Sequence, residues 1–391
     1  MVFTRGDWRL IILCVTAAAG AAVTRFAGGG PVLPFVVSGI ALAVLASLVG
    51  RSVEALGDRL GAGATGVVQS ALGNLPELFV VLFALRDGLY GVASASIVGS
   101  ILANVLLVLG LAFVVGGVRH GPQRFGAESA RTNSLLLVLA VFALLVPALT
   151  AALHTPAAGH ERGLSIVVSV LLLGLFAASL PAAIRRRTAT PATTGTPATP
   201  GTLAAAGTQG IPGAEAAKPA GTPEVAGEPE AAAPGHQGPR WPLGVALAML
   251  AVTGVGAAFV SEWFVEALQP AMDTLGISQA FAGLVIVAIA GNAVENVVGI
   301  QLAARNQADF ALSVILQSPL QIALVVAPAL VLLSPLVGAS FTLVLPPLLI
   351  AALVIAVLVT VIVVLDGEST WLEGATLIVL YCVIAAAFWW G

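Results

Sequence analysis

The strongest constraint in this chain is a series of apolar runs too long for the interior of a soluble domain. The stretches 90–115, 134–150 and 341–365 contain no charged residue, and roughly 18 or more apolar residues in a row read as a membrane-crossing helix. Lipid offers backbone groups no hydrogen bonds, so only helices and closed barrels can cross it. Outer-membrane strands alternate polar and apolar residues. No such alternation is present here, which predicts an all-α polytopic membrane protein. Composition agrees: 59% of residues are hydrophobic and only 9% charged, against about 25% charged in soluble domains. The net charge of −3 therefore says little about partners beyond the lipid bilayer, and no nucleic-acid partner is expected.

The runs predict about eleven transmembrane helices, at 10–24, 32–49, 66–85, 90–115, 134–150, 164–184, 242–265, 280–303, 310–333, 341–365 and 372–390. The first is read as a retained anchor rather than a signal peptide, because further spans follow it. Between the sixth and seventh lies a segment rich in Ala, Pro, Gly and Thr that has too little apolar surface to offset chain entropy. The expected organisation is an N-terminal helix (1–30), a first five-helix repeat (31–187), a disordered cytoplasmic linker (188–240) and a second five-helix repeat (241–391).

Basic residues favour the cytoplasmic side of a membrane. With the N-terminus inside, only Arg25, Arg86 and Arg162 of the 16 Lys and Arg residues fall outside. This puts the N-terminus and linker in the cytoplasm, the C-terminus outside and the acidic residues Glu262, Glu266 and Asp273 in an outer loop. The alanine-rich style suggests a bacterial inner or plasma membrane. An odd number of spans per block makes the two halves inverted repeats, the plan of secondary transporters with a midplane site.

One polar device occurs twice. GNLPE at Gly73–Glu77 and GNAVE at Gly291–Glu295 each set a carboxylate into oily sequence. On a helix, Ser70, Asn74 and Glu77 share a face, as do Asn292 and Glu295. A charge at the centre of a span costs about 2.5–3.5 kcal/mol on insertion scales, so two at matched positions need a reason. The next span in each half adds uncharged oxygens: Ser96, Ser100 and Asn104, and then Ser313, Gln317 and Gln321, each set at intervals of four. Gly73 with Pro76, and Gly291, are expected break points that free backbone carbonyls. Carboxylates, amides, hydroxyls and carbonyls form an all-oxygen set suited to a hard cation such as Ca²⁺ rather than a soft metal.

Two carboxylates neutralise one divalent ion, and without it their proximity and burial favour protonation, which couples cation and proton occupancy. Glu54, beside Arg51 and Asp58, and Glu262 are read as secondary groups on an ion or proton path. Ser70, Ser96 and Gln317 belong to that secondary set. Cys14 and Cys382 lie in apolar runs with no metal or disulfide pattern, and His120, His154, His160 and His236 fall in loops or the linker. No enzymatic activity and no bound cofactor are expected.

The paired GNxxE motifs, with GSILAN at Gly99–Asn104, GRSVEALGDRL before the first repeat and GGVRHGPQRF after it, resemble the alpha-repeats of the cation/calcium exchanger superfamily, and most of all its calcium/proton antiporter branch. The resemblance implies that Glu77 and Glu295 bind the transported ion and exchange it for protons. It further implies roles for Asn74 and Asn292, and for Ser100, Asn104, Ser318 and Gln321, with Ca²⁺ and H⁺ as the substrates. Three positions depart from the family pattern: Asn296 stands where histidine is common, Gln317 where glycine is usual, and the linker lacks a dense acidic run. The expected function is Ca²⁺ export in exchange for protons by alternating access. Pro76, which leans towards an LPE signature, keeps a sodium-coupled exchanger of Ca²⁺ or another divalent ion as an alternative. Asn296 and Gln317 keep a transport-inactive membrane cation sensor of the same fold as another.

Overall fold

The computed structural model describes residues 3–60, 72–188 and 241–390, and nearly all of them are helical. Ser70 and most of the expected linker lie outside the described residues. The helices are α1 (Arg5–Ala27), α2 (Val32–Leu60), α3 (Leu75–Arg86), α4 (Tyr90–His120), α5 (Ala127–Ala152) and α6 (Glu161–Thr188) in the first half. The second half supplies α7 (Leu243–Leu275), α8 (Gln279–Gly291), α9 (Ala293–Ala304), α10 (Ala308–Val337), α11 (Pro347–Val364) and α12 (Trp371–Ala387).

Among the described residues, eight helices are long and apolar enough to cross a membrane. The bent pair α8 and α9 makes up to nine, and α12 is a shorter apolar helix. Large apolar side chains such as Phe26, Val170, Leu171, Ile362 and Val383 remain more than half exposed, as lipid-facing residues of a multi-pass protein would be. Without a hydrophobic force between helices in lipid, association rests on close packing. α2 and α7 pack along one another with Phe35 stacked on Phe264 at 5.0 Å.

Several expected boundaries move. The seventh span does not end at residue 265: α7 continues to Leu275 and stops where Gly276 takes a left-handed conformation (φ 65°), so Glu262, Glu266 and Asp273 lie on the helix and not in an outer loop. The extension is tolerable because Arg86 pairs with Glu262 at 2.9 Å, Arg25 pairs with Glu266, and Gln269 donates to Asp273. The tenth span starts at Pro347 rather than residue 341, since Pro346 holds extended backbone (ψ 140°) and the residue before a proline is pushed out of the α region. The eighth span is bent by 65° between α8 and α9. One non-helical element was not expected, a two-residue antiparallel bridge pairing Gln123 with Ser369 and Arg124 with Glu368. It is reinforced by the Arg124–Glu368 ion pair at 2.6 Å.

At the other end of α1, a capping box joins Thr4 and Asp7. Asp7 is buried and also accepts from Arg51 Nε and Trp241 Nε1, both at 3.2 Å. One carboxylate thus ties the start of α1 to α2 and to the segment leading into α7.

Candidate functional site

The two GNxxE motifs form the same local structure. In each, the asparagine is the residue at which the chain breaks and a new helix begins: Asn74 (φ −93°, ψ 17°) precedes α3, and Asn292 (φ −106°, ψ 20°) precedes α9. Pro76 suits the first turn of α3, where its missing N–H has no intrahelical partner in any case. Glu77 and Glu295 both fall in the first turn of their helices, where unsatisfied N–H groups and the helix dipole favour negative charge. Neither asparagine caps its own helix with its side chain, which leaves both amides for longer-range contacts.

Those contacts cross between the halves. Ser100 Oγ donates to Glu77 Oε1 in a short hydrogen bond. The same hydroxyl accepts from Asn292 Nδ2 at 3.0 Å, and that amide also reaches Ala288 O at 3.0 Å. Ser318 Oγ donates to Asn292 Oδ1 at 3.2 Å, and Asn74 Nδ2 donates to Gln321 Oε1 at 3.2 Å. Asn104 Nδ2 donates to Ser100 O at 2.8 Å. Glu77, Ser100, Asn104 and Asn292 are at most 1% exposed, while Glu295 and Gln321 are half-buried. A Cβ built on Gly291 would stand 3.4 Å from Glu77 Cβ, so the first carboxylate packs over the break in the other half.

This convergence depends on two glycines. A Cβ on Gly99 would lie 2.3 Å from Leu284 O, and one on Gly283 would lie 2.4 Å from Val92 O. α4 and α8 therefore cross backbone to backbone, the close approach that small residues permit in membranes. It seats Ser100, the neighbour of Gly99, against Asn292. π-helical turns at Ala103–Val108 in α4, Ala282–Val287 in α8 and Ile322–Val326 in α10 flank the site; such turns occur frequently at functional positions.

Several buried oxygens have no donor among the described residues: Glu77 Oε2, Asn104 Oδ1, Asn296 Oδ1 and the hydroxyl of Ser96. Buried acceptors are usually satisfied, and an acceptor set left open beside two carboxylates has the chemistry of a cation site. Among the described residues, no Lys, Arg or His forms an ion pair with Glu77 or Glu295.

The secondary residues divide. Ser96 lies buried one turn before Ser100 on α4. Ser313 and Gln317 are exposed, with Ser318 pointing inward instead. Glu54 and Glu262 form ion pairs with Arg51 at 3.0 Å and Arg86 at 2.9 Å. Sequence reasoning did not single out the orphan oxygen of Asn296 or the packing role of Gly99 and Gly283.

The profile of the family described as sodium/calcium exchanger protein matches residues 31–184 and 245–390. The chain is 32% identical over 382 residues to a Ca²⁺/H⁺ antiporter of Synechocystis sp., covering 97% of this chain and 95% of that one. It is 33% identical over 358 residues to the Ca²⁺/H⁺ antiporter ChaA of Bacillus subtilis, covering 90% and 91%. Among solved structures, the selenium-substituted Ca²⁺/H⁺ antiporter protein YfkE superposes with a TM-score of 0.74 at 29% identity, covering 98% of this chain and 99% of that chain.

Proposed function

The chain belongs to the sodium/calcium exchanger protein family, and from that premise we propose that it is a secondary antiporter moving Ca²⁺ out of the cytoplasm in exchange for protons. The observation that carries the reading is the pair of first-turn carboxylates, Glu77 and Glu295, set among uncharged oxygens drawn from both halves of the chain. Calcium takes six to eight oxygen ligands in flexible arrangements. Glu77, Glu295, Asn74, Asn292, Ser100, Asn104, Ser318 and Gln321 supply the candidates. The ion and protons then compete for the same two carboxylates, beside which no Lys, Arg or His forms an ion pair among the described residues.

In this reading the protein has eleven spans in two inverted five-helix repeats after α1, with its N-terminus and the 188–240 linker in the cytoplasm of a bacterium. The matching backbone breaks at Asn74 and Asn292 support the repeat. Alternating access follows from movement of α2 and α7, which pack as a pair, against the remaining helices. The full-length likeness to relatives named as Ca²⁺/H⁺ antiporters favours protons over sodium as the driving ion.

The test is uptake of radiolabelled Ca²⁺ into sealed vesicles holding purified protein, with pH and sodium gradients imposed separately. Uptake driven by the pH gradient is expected. Uptake that follows only a sodium gradient overturns the proton coupling. Ca²⁺ binding with no movement under either gradient marks a sensor instead of a transporter.

A further inference from the structure

α4 and α9 run alongside one another in the same direction, from the carboxylate region to the end marked by Arg119 and Arg305, where His120 Nε2 lies 3.0 Å from Ala304 O. Two contacts fix their register. Asn292 meets Ser100 at 3.0 Å, and a Cβ on Gly299 would stand 3.8 Å from Val108 Cγ1. Between these lies one step on each helix: Asn104 is four residues beyond Ser100, and Asn296 is four beyond Asn292. Side chains four apart share a helix face, so the two amides stand at one level, one turn past the Glu77 region.

Each offers an oxygen that is buried and receives no donor among the described residues. In Asn104 the amide orientation is set, because Nδ2 donates to Ser100 O at 2.8 Å and the orphan atom must be the carbonyl. Asn104 also lies in the π-helical turn of α4. Hydrogen bonding among the described residues explains neither oxygen, and the two stripes, 100–104–108 and 292–296–299, carry no charged residue.

We propose that Asn296 completes, with Asn104, a neutral amide station for a divalent cation on the Arg119–Arg305 side of the carboxylate pair, where the ion is held by carbonyl oxygens as it passes to or from Glu77 and Glu295. The proposal rests on the cation-site reading above and assigns Asn296 a part in it. Asn296 is a neutral oxygen ligand that sets affinity on one side of the membrane, and Glu295 beside it remains the charged ligand.

The experiment compares Asn296→Leu with Asn296→Asp, two replacements of similar size of which only the second keeps an acceptor oxygen. Both are measured by equilibrium binding of radiolabelled Ca²⁺ to purified protein in detergent, and by pH-driven uptake in oriented vesicles with Ca²⁺ presented to each face in turn. Losing an uncharged ligand to a cation weakens binding about tenfold or more. Asn296→Leu is therefore expected to raise KM by that factor from the Arg119–Arg305 side and to leave KM from the opposite face near wild type. Asn296→Asp is expected to keep wild-type affinity or exceed it.

If both variants bind and transport as wild type does, or if both weaken alike on the two faces as a packing defect would, the station does not exist. Should Asn296→Leu fail to fold, weakened binding in Asn296→Asp by itself overturns the proposal. Binding also separates the two readings: a wild-type protein that binds Ca²⁺ without exchanging it for protons loses the antiport reading and leaves the variant comparison intact.

Discussion

Replacing Gly99 with alanine tests whether the backbone crossing of α4 and α8 builds the site. The added Cβ would meet Leu284 O at 2.3 Å and Leu284 Cα at 2.4 Å, some 1.1 Å short of the 3.4 Å at which ordinary contact begins. The obstacle is backbone, so no rotamer change relieves it and α8 must withdraw. A displacement of that size stretches the 3.0 Å bond between Asn292 and Ser100 to about 4 Å, outside the hydrogen-bonding range. Overpacking of this kind costs about 1–3 kcal/mol. Alanine regains up to about 1 kcal/mol over glycine in a helix interior, so the net expectation is a loss of up to about 2 kcal/mol together with impaired Ca²⁺ movement. The assay pairs thermal unfolding in detergent with vesicle uptake. Gly254→Ala is the control, because a Cβ on Gly254 meets nothing within 4 Å; it should be neutral or slightly stabilising. A Gly99→Ala protein with wild-type unfolding and wild-type uptake would refute the crossing as the source of the site geometry.

Glu77→Gln and Glu295→Gln should each abolish exchange while the protein stays monodisperse on size exclusion, and wild-type rates in either would remove these carboxylates from the site. Ser100→Ala removes both the donor to Glu77 and the acceptor for Asn292, so binding assays should find a loss of Ca²⁺ affinity larger than Ser318→Ala produces. Asp7→Ala deletes half of a capping box and the carboxylate that accepts from Trp241 Nε1 and Arg51 Nε. A cost of about 1–3 kcal/mol follows, readable as a lower unfolding midpoint at unchanged KM. Arg86 and Glu262 are each about a third exposed, so a double-mutant cycle should return at most about 1 kcal/mol, shrinking in high salt.

The fold and the site were legible to different depths. Long charge-free runs disclosed the helices, and Gly73, Pro76 and Gly291 disclosed both breaks, because lipid makes each polar or helix-breaking residue conspicuous. The true start of α11 was also written in the chain, in Pro346 and Pro347. Other features depend on partners distant in sequence. The seventh span was expected to end at residue 265, next to Glu262 and Glu266, and the arginines that pair with them, Arg86 and Arg25, lie on other helices. Gln317 and Ser318 differ by one step of helix rotation, and the interval of four from Gln321 picked the exposed neighbour over the buried one. Which of the 43 glycines meet at a crossing is invisible in a sequence this rich in small residues. The bridge at Gln123–Arg124 is too short to leave a periodic signal.

The sharing of hydrogen bonds between halves has a consequence for how the protein is made. When the ribosome has delivered α3 and α4, Glu77 has Ser100 from its own half, but the amides of Asn292 and Gln321 do not yet exist. A newly inserted first half must therefore hold the amide of Asn74 and the hydroxyl of Ser100 in the bilayer without these partners. Only when α8 to α10 arrive do Asn292, Ser318 and Gln321 join the hydrogen bonds to Ser100 and Asn74. The polar centre is thus a late event in biogenesis, and its completion holds the two halves of the nascent chain together.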